Sequence, residues 1–222
     1  MQRLAQELDN LKGRLIEMGD AVESMMVWAG TALTDRHPES IRRVADSEPA
    51  IDQFQIEIDS EAIRLLTVYS PTARDLRFLL MVARISSELE RIGDQSLNNC
   101  EYIAQLPAQP RAAAFRDINK MSEITRDMVH DALLTFKDED IDRAQKVVDK
   151  DDEVDALYVQ TFRDLLTAGT EPNVVNESMT MILLARSLER IADHATNICE
   201  EVFYLAKAED IRHRYRTIGG DR

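Results

Sequence analysis

Glu88-Leu-Glu-Arg-Ile-Gly-Asp-Gln-Ser-Leu-Asn-Asn-Cys100 returns 99 residues later as Ser187-Leu-Glu-Arg-Ile-Ala-Asp-His-Ala-Thr-Asn-Ile-Cys199. Glu90, Arg91, Ile92, Asp94, Asn98 and Cys100 are matched by Glu189, Arg190, Ile191, Asp193, Asn197 and Cys199. Identities held in register in this way mark an internal repeat, and the chain reads as a tandem duplication. Each copy sets two carboxylates four residues apart inside an apolar periodic run, which makes an acidic pair on one helix face.

Upstream of the first copy, Leu4, Leu8, Leu11, Leu15, Met18, Val22, Met25, Ala29 and Ala32 recur in steps of four and three. That heptad seam predicts one long helix ending near Thr34. A second helix opens at Glu39 with Ile41, Val44, Ile51, Phe54, Ile58, Ala62 and Leu65 on one stripe, and Pro49 within it predicts a bend or a break. A third follows Pro71 through Leu79, Val82, Ile85, Leu89, Ile92, Leu97 and Ile103, and Pro107-Ala-Gln-Pro110 is the natural linker.

The second half repeats the plan. Ile118, Met121, Thr125, Met128 and Ala132 form a seam, and Ala144, Val147, Val154, Leu157, Thr161 and Leu165 form the next stripe. The last helix carries Ile182, Leu184, Leu188, Ile191, Cys199 and Val202 and fades into Arg212–Arg216. Met18 aligns with Met121 and Asp52 with Asp155 at an offset of 103, which shrinks to 99 further on. The expected fold is all-α, a tandem duplication of two antiparallel three-helix bundles. The bundles span 1–107 and 113–216, and 217–222 form a flexible tail.

Composition narrows the function classes. With 41 acidic against 27 basic residues the formal charge is −14, which opposes general nucleic-acid binding and suits cations or basic protein surfaces. Two cysteines are no disulfide framework; at equivalent repeat positions on the core stripe they read as small buried hydrophobes. No apolar run approaches the ~20 residues that cross a bilayer. The opening Met-Gln-Arg-Leu-Ala-Gln-Glu has no secretory apolar segment, and the expected location is cytoplasmic.

The acidic pairs are four in number. Glu48 with Asp52 and Asp151 with Asp155 join Glu90 with Asp94 and Glu189 with Asp193. At about 100° per residue, with Glu90 at zero, Asp94 lies near 40°, Glu101 near 20° and Asn98 near 80°. The core stripe of Ile85, Leu89, Ile92, Cys100 and Ile103 covers roughly 200–280° on that wheel, so the carboxylates flank the core. Asp52 lies 18 residues before Ser70 and Glu90 lies 20 after it, so a hairpin brings the two motifs to one height. Like charges four apart cost a few tenths of a kcal/mol per pair. The compensation is a cation held by carboxylate oxygen (Mg²⁺, Mn²⁺, Ca²⁺ or iron) or the nearby Arg84, Arg91, Arg186 and Arg190.

Ser70-Pro-Thr-Ala-Arg-Asp-Leu-Arg77, Leu89-Glu-Arg-Ile-Gly-Asp94 and Leu188-Glu-Arg-Ile-Ala-Asp-His-Ala-Thr-Asn-Ile198 resemble the PhoU family over nearly the whole chain. The resemblance implies a cytoplasmic negative regulator of phosphate uptake and phosphate-starvation signalling. It implies an adaptor between the ATPase subunit of the phosphate transporter and a membrane sensor histidine kinase, with membrane association only through those partners. It also implies acidic metal clusters of iron, zinc, manganese or magnesium at Glu48, Asp52, Glu90, Asp94, Asp151, Asp155, Glu189 and Asp193. Asn98, Glu101, Asn197 and Glu200 are auxiliary candidates, and a homodimer is the expected assembly. Gln95 stands in the first repeat where His194 stands in the second, and the wheel turns His194 away from Glu189 as a surface imidazole.

Two other functions compete. One is a metal-free helical interaction module. The other is a metal-dependent carboxylate enzyme, but such bundles use Glu-x-x-His pairs aimed inward and the chain has none; no catalytic residue is expected.

Overall fold

The computed structural model describes residues 2–208, and the expected fading of the last helix over 212–216 and the tail at 217–222 lie outside them. Six helices follow in order: α1 (Gln2–Asp35), α2 (Pro38–Tyr69), α3 (Ala73–Gln105), α4 (Ala112–Asp138), α5 (Ile141–Leu166) and α6 (Pro172–Lys207). No strand occurs among the described residues. The turns carry the expected chemistry. Pro38 and Pro172 occupy the first turns of α2 and α6, where a missing N–H costs nothing. Ser70 and Glu139 end α2 and α4 in the left-handed conformation, each returning its N–H to the preceding turn.

Pro49 does not break α2. Both Pro49 and Ala45, whose carbonyl loses its helical donor, are exposed, where a missing helical bond is least costly.

α1, α2 and α3 pack on one another, as do α4, α5 and α6, and the halves meet where α3 lies on α6 and α1 on α4. Both crossings run antiparallel. Along α3 and α6 the partners are Arg84 with Glu201, Glu88 with His194, and Gln95 with Ser187. Along α1 and α4, Lys12 reaches the Lys137 carbonyl and Glu23 reaches His130. These pairings define a pseudo-twofold axis perpendicular to the helices, with α2 and α5 as the outer rods.

The seams are the core. Leu15, Met18, Val22, Met25, Ile58, Leu65, Ile85, Leu89, Ile118, Met121, Met128 and Val154 are inaccessible to solvent. Removing such side chains from water is the main stabilising term, at about 25 cal/mol per Å² of apolar surface. Cys100 and Cys199 are buried and unpaired, and burial pushes both thiols up to about 12, which keeps them unreactive.

Close helix approach is handled differently on the two sides of the axis. A Cβ on Gly93 would lie 3.4 Å from Ile51 Cγ2, whereas the second half has Ala192 and Val154 at the equivalent positions. The methyl missing from one helix is thus present on the other. Between the halves, Leu133 fills the space over Gly19; at the equivalent place Ser122 faces Gly30 and a polar cleft remains, lined by Thr31, Asn119 and Arg126 among others.

Candidate functional site

The helix register assembles the acidic pairs as their heights required. Asp59 on α2 meets Ser86 on α3, and Ile51 lies against Gly93, which sets Glu48 and Asp52 level with Asp94 and Glu90. The four feel one another. Burial is the largest influence on the Glu48, Glu90 and Asp94 carboxyls and pushes each above its ordinary range, with the Asp52 charge adding to all three.

The second quartet forms on α5 and α6. Burial pushes Asp151 up to about 7, helped by the charges of Asp155, Asp193, Glu189 and Asp152. Burial likewise raises Glu189, although Arg186 opposes it by pairing with Glu189 Oε1 at 2.9 Å. The other Glu189 oxygen is buried without a hydrogen-bond partner. All eight carboxylates therefore sit in two clusters, one per half, beside the core. Asp155 is exposed and the other seven are half-buried.

The auxiliary candidates divide. Asn98 is half-buried and Glu101 is exposed. Asn197 is turned to another task, donating its Nδ2 to Glu88 Oε2 at 3.1 Å. Glu200 lines a small apolar cleft with Ile141, Val148 and Phe203. Of the arginines considered as counter-charges, Arg186 serves Glu189, while Arg84 bonds Glu201 and Arg91 approaches Glu88 at 3.8 Å.

His194 corrects the sequence reading. It is buried, at 7% exposure, and its Nδ1–H donates to Glu88 Oε2 at 2.7 Å. The helical wheel considered only the stripe facing the helix's own bundle, whereas α6 buries a second stripe against α3. Burial pushes the Glu88 carboxyl up, but the hydrogen bonds from His194 and Asn197 and the charges of His194 and Arg91 outweigh it and hold Glu88 below its ordinary range. The axis places Gln95 and Ser187 at the equivalent positions, where Ser187 Oγ and Gln95 Oε1 lie 2.9 Å apart. Glu88, Gln95 and Ser187 were readable only as repeat mismatches; nothing local to them announces an interface.

Among the described residues, no three His, Cys, Asp or Glu side chains converge into a ready-made cation site. The donors nonetheless suit one chemically: they are hard carboxylate oxygens, crowded, partly desolvated, and in Glu189 unsatisfied.

Fold and site together define a class: duplicated all-helical proteins carrying an acidic quartet on the outer helix pair of each half. The profile of the PhoU domain matches residues 15–103 and 118–202, one copy per half. The chain belongs to the PhoU family. It is 36% identical over 214 residues to the phosphate-specific transport system accessory protein PhoU homolog of Aquifex aeolicus, covering 96% of this chain and 97% of that one. It is 32% identical to the phosphate-specific transport system accessory protein PhoU of Escherichia coli K12, covering 97% and 88% of the two chains. The crystal structure of PhoU from Pseudomonas aeruginosa superposes with a TM-score of 0.88 at 31% identity, over 92% of this chain and 99% of that one. That of the phosphate transport system regulatory protein PhoU from Streptococcus pneumoniae gives 0.86 at 26% identity, over 93% and 98%.

Proposed function

We propose that this chain is an accessory regulator of a phosphate-specific transport system. It acts as a negative regulator of phosphate uptake and of phosphate-starvation signalling. In this reading it is a non-catalytic adaptor, docking in the cytoplasm on the transporter ATPase subunit and on a membrane sensor histidine kinase. What supports the reading is full-length similarity to proteins described as phosphate-transport accessory proteins. No described helix is long and apolar enough to cross a membrane, in keeping with a protein that reaches the bilayer through partners. A homodimer is the assembly we propose.

The observation that carries the metal part is the assembly of the two quartets. Glu48, Asp52, Glu90 and Asp94 would hold ions in the first half, and Asp151, Asp155, Glu189 and Asp193 in the second. A bound iron, zinc, manganese or magnesium ion would supply the positive charge that the crowded carboxylates lack. Their half-exposed side chains have only to swing together, since the backbone already sets them level. The absence of three convergent donors is the observation that favours a metal-free scaffold instead.

Deleting the gene and complementing it tests the regulatory part: loss is expected to derepress phosphate uptake at high phosphate, and an unchanged uptake rate would refute it. Elemental analysis of chain purified without chelator tests the metal part. Wild type is expected to carry ions that Glu90→Gln with Asp94→Asn halves and the added Glu189→Gln with Asp193→Asn removes. Metal-free wild type would leave the scaffold reading.

A further inference from the structure

Buried seams leave few large apolar side chains exposed among the described residues, and eight of the twelve are duplicated. On the first half Ile56 and Ile63 of α2 are 59% and 64% exposed, and Leu76 and Leu80 of α3 are 37% and 42% exposed. At the repeat offsets their equivalents are Val159, Leu166, Val175 and Met179, which are also exposed. Two sets of positions, each kept apolar in water, form one surface made twice.

Helical geometry fixes where that surface lies. Ile63 stands three turns beyond Asp52, and Leu76 five turns before Asp94, so the apolar residues continue the face that carries the first quartet. Leu166 and Val175 bear the same relation to Asp155 and Asp193. Each outer helix pair thus presents one groove, apolar towards its hairpin turn and acidic roughly 15–20 Å further along. In the metal-free chain the unneutralised acidic end of each groove, on a molecule of net charge −14, selects a basic partner segment.

We propose that each groove docks an amphipathic helix of a partner protein, one bearing apolar anchors and a Lys/Arg cluster about eleven residues apart on the same face. The two grooves are unequal. Asp59 interrupts the apolar half of the first, whereas the equivalent Phe162 of the second is exposed and adjoins Tyr158, with Arg186 over the Tyr158 ring. The second groove therefore grips the anchors more tightly. The proposal deepens the adaptor reading and rests on its premise that the chain works by docking proteins.

The probe is a synthetic helical peptide with leucines one turn apart and a lysine–arginine cluster about eleven residues further on. A control of the same composition places the cluster on the opposite face. Titration into the full chain, stripped of metal, is expected to fill two sites of unequal affinity, with binding weakening at least tenfold between low and high salt. Ile63→Ser with Leu80→Ser removes the weaker site, and Leu166→Ser with Met179→Ser removes the tighter one. These side chains are exposed, so helicity and Tm stay close to wild type. Equal binding of the control, retention of both sites by the variants, or self-association of the chain that these variants abolish would each overturn the groove. Phosphate uptake of a deletion strain complemented with wild type is read separately, so failure of the groove and failure of the regulatory reading remain distinguishable.

Discussion

The two halves place four carboxylates on equivalent helix faces, yet the protons are held differently. In the first half burial, with the charges of Asp52 and Asp94, raises the Glu48 carboxyl. In the second half the residue is Asp151, which burial, helped by the neighbouring carboxylate charges, pushes up to about 7. Across the pseudo-twofold axis the contrast repeats: Glu88 with His194 is an ionisable pair, and Ser187 with Gln95 is a neutral one. The repeat sets equivalent positions, but the residues there make one side of the axis ionisable and the other neutral.

Breaking the pair at the axis gives the largest expected effect. His194→Ala leaves the half-buried Glu88 carboxylate only Asn197 and the more distant Arg91, and is expected to cost about 3 kcal/mol by chemical denaturation. Gln95→Ala on the neutral side is expected to cost about 1 kcal/mol. If the double variant Glu88→Ser with His194→Gln, which copies the neutral pair, is no more stable than His194→Ala, the equivalence of the two sites fails.

Removing the costly carboxylate charge sharpens the contrast between quartets. A carboxyl raised in the folded state binds protons that the unfolded chain has lost, so stability falls as pH rises from about 4 to about 7. For Asp151 the loss is on the order of 2–4 kcal/mol. In metal-free protein at pH 8, Asp151→Asn is expected to recover most of it and flatten the pH profile, while Glu48→Gln recovers less. Equal slopes for the two variants would show that the quartets are alike.

The glycines between α1 and α4 should respond with opposite signs. A Cβ on Gly19 would meet Leu133 Cδ2 at 2.5 Å, so Gly19→Ala is expected to cost about 1 kcal/mol after its gain in helix propensity. On Gly30 the nearest atom is Ser122 Oγ at 3.7 Å, and Gly30→Ala is expected to raise stability by up to about 1 kcal/mol. Thermal melts of the two variants check the sign.

The smallest effect lies at Gly93. Its Cβ would stand at ordinary contact distance from Ile51, so Gly93→Ala is expected to change stability by less than about 1 kcal/mol. Adding Ile51→Val reproduces the Ala192 and Val154 pairing of the other half. A double-mutant cycle should show a favourable coupling of a few tenths of a kcal/mol.

The sequence determined a good deal alone. Helical periodicity with Pro, Ser and Gly punctuation located six helices, because an amphipathic stripe is a local record of what must be buried. The repeat announced the duplication, and counting residues about Ser70 placed Glu48 and Asp52 level with Glu90 and Asp94, because a short turn leaves a hairpin no freedom of register. What the tertiary structure decided was the junction of the halves. A wheel for α6 holds one core stripe, but α6 serves two neighbours, so His194, outside that stripe, is buried on α3 opposite Glu88. Which polar side chains of two distant helices meet depends on where the pseudo-twofold axis falls, and no spacing within either helix encodes that.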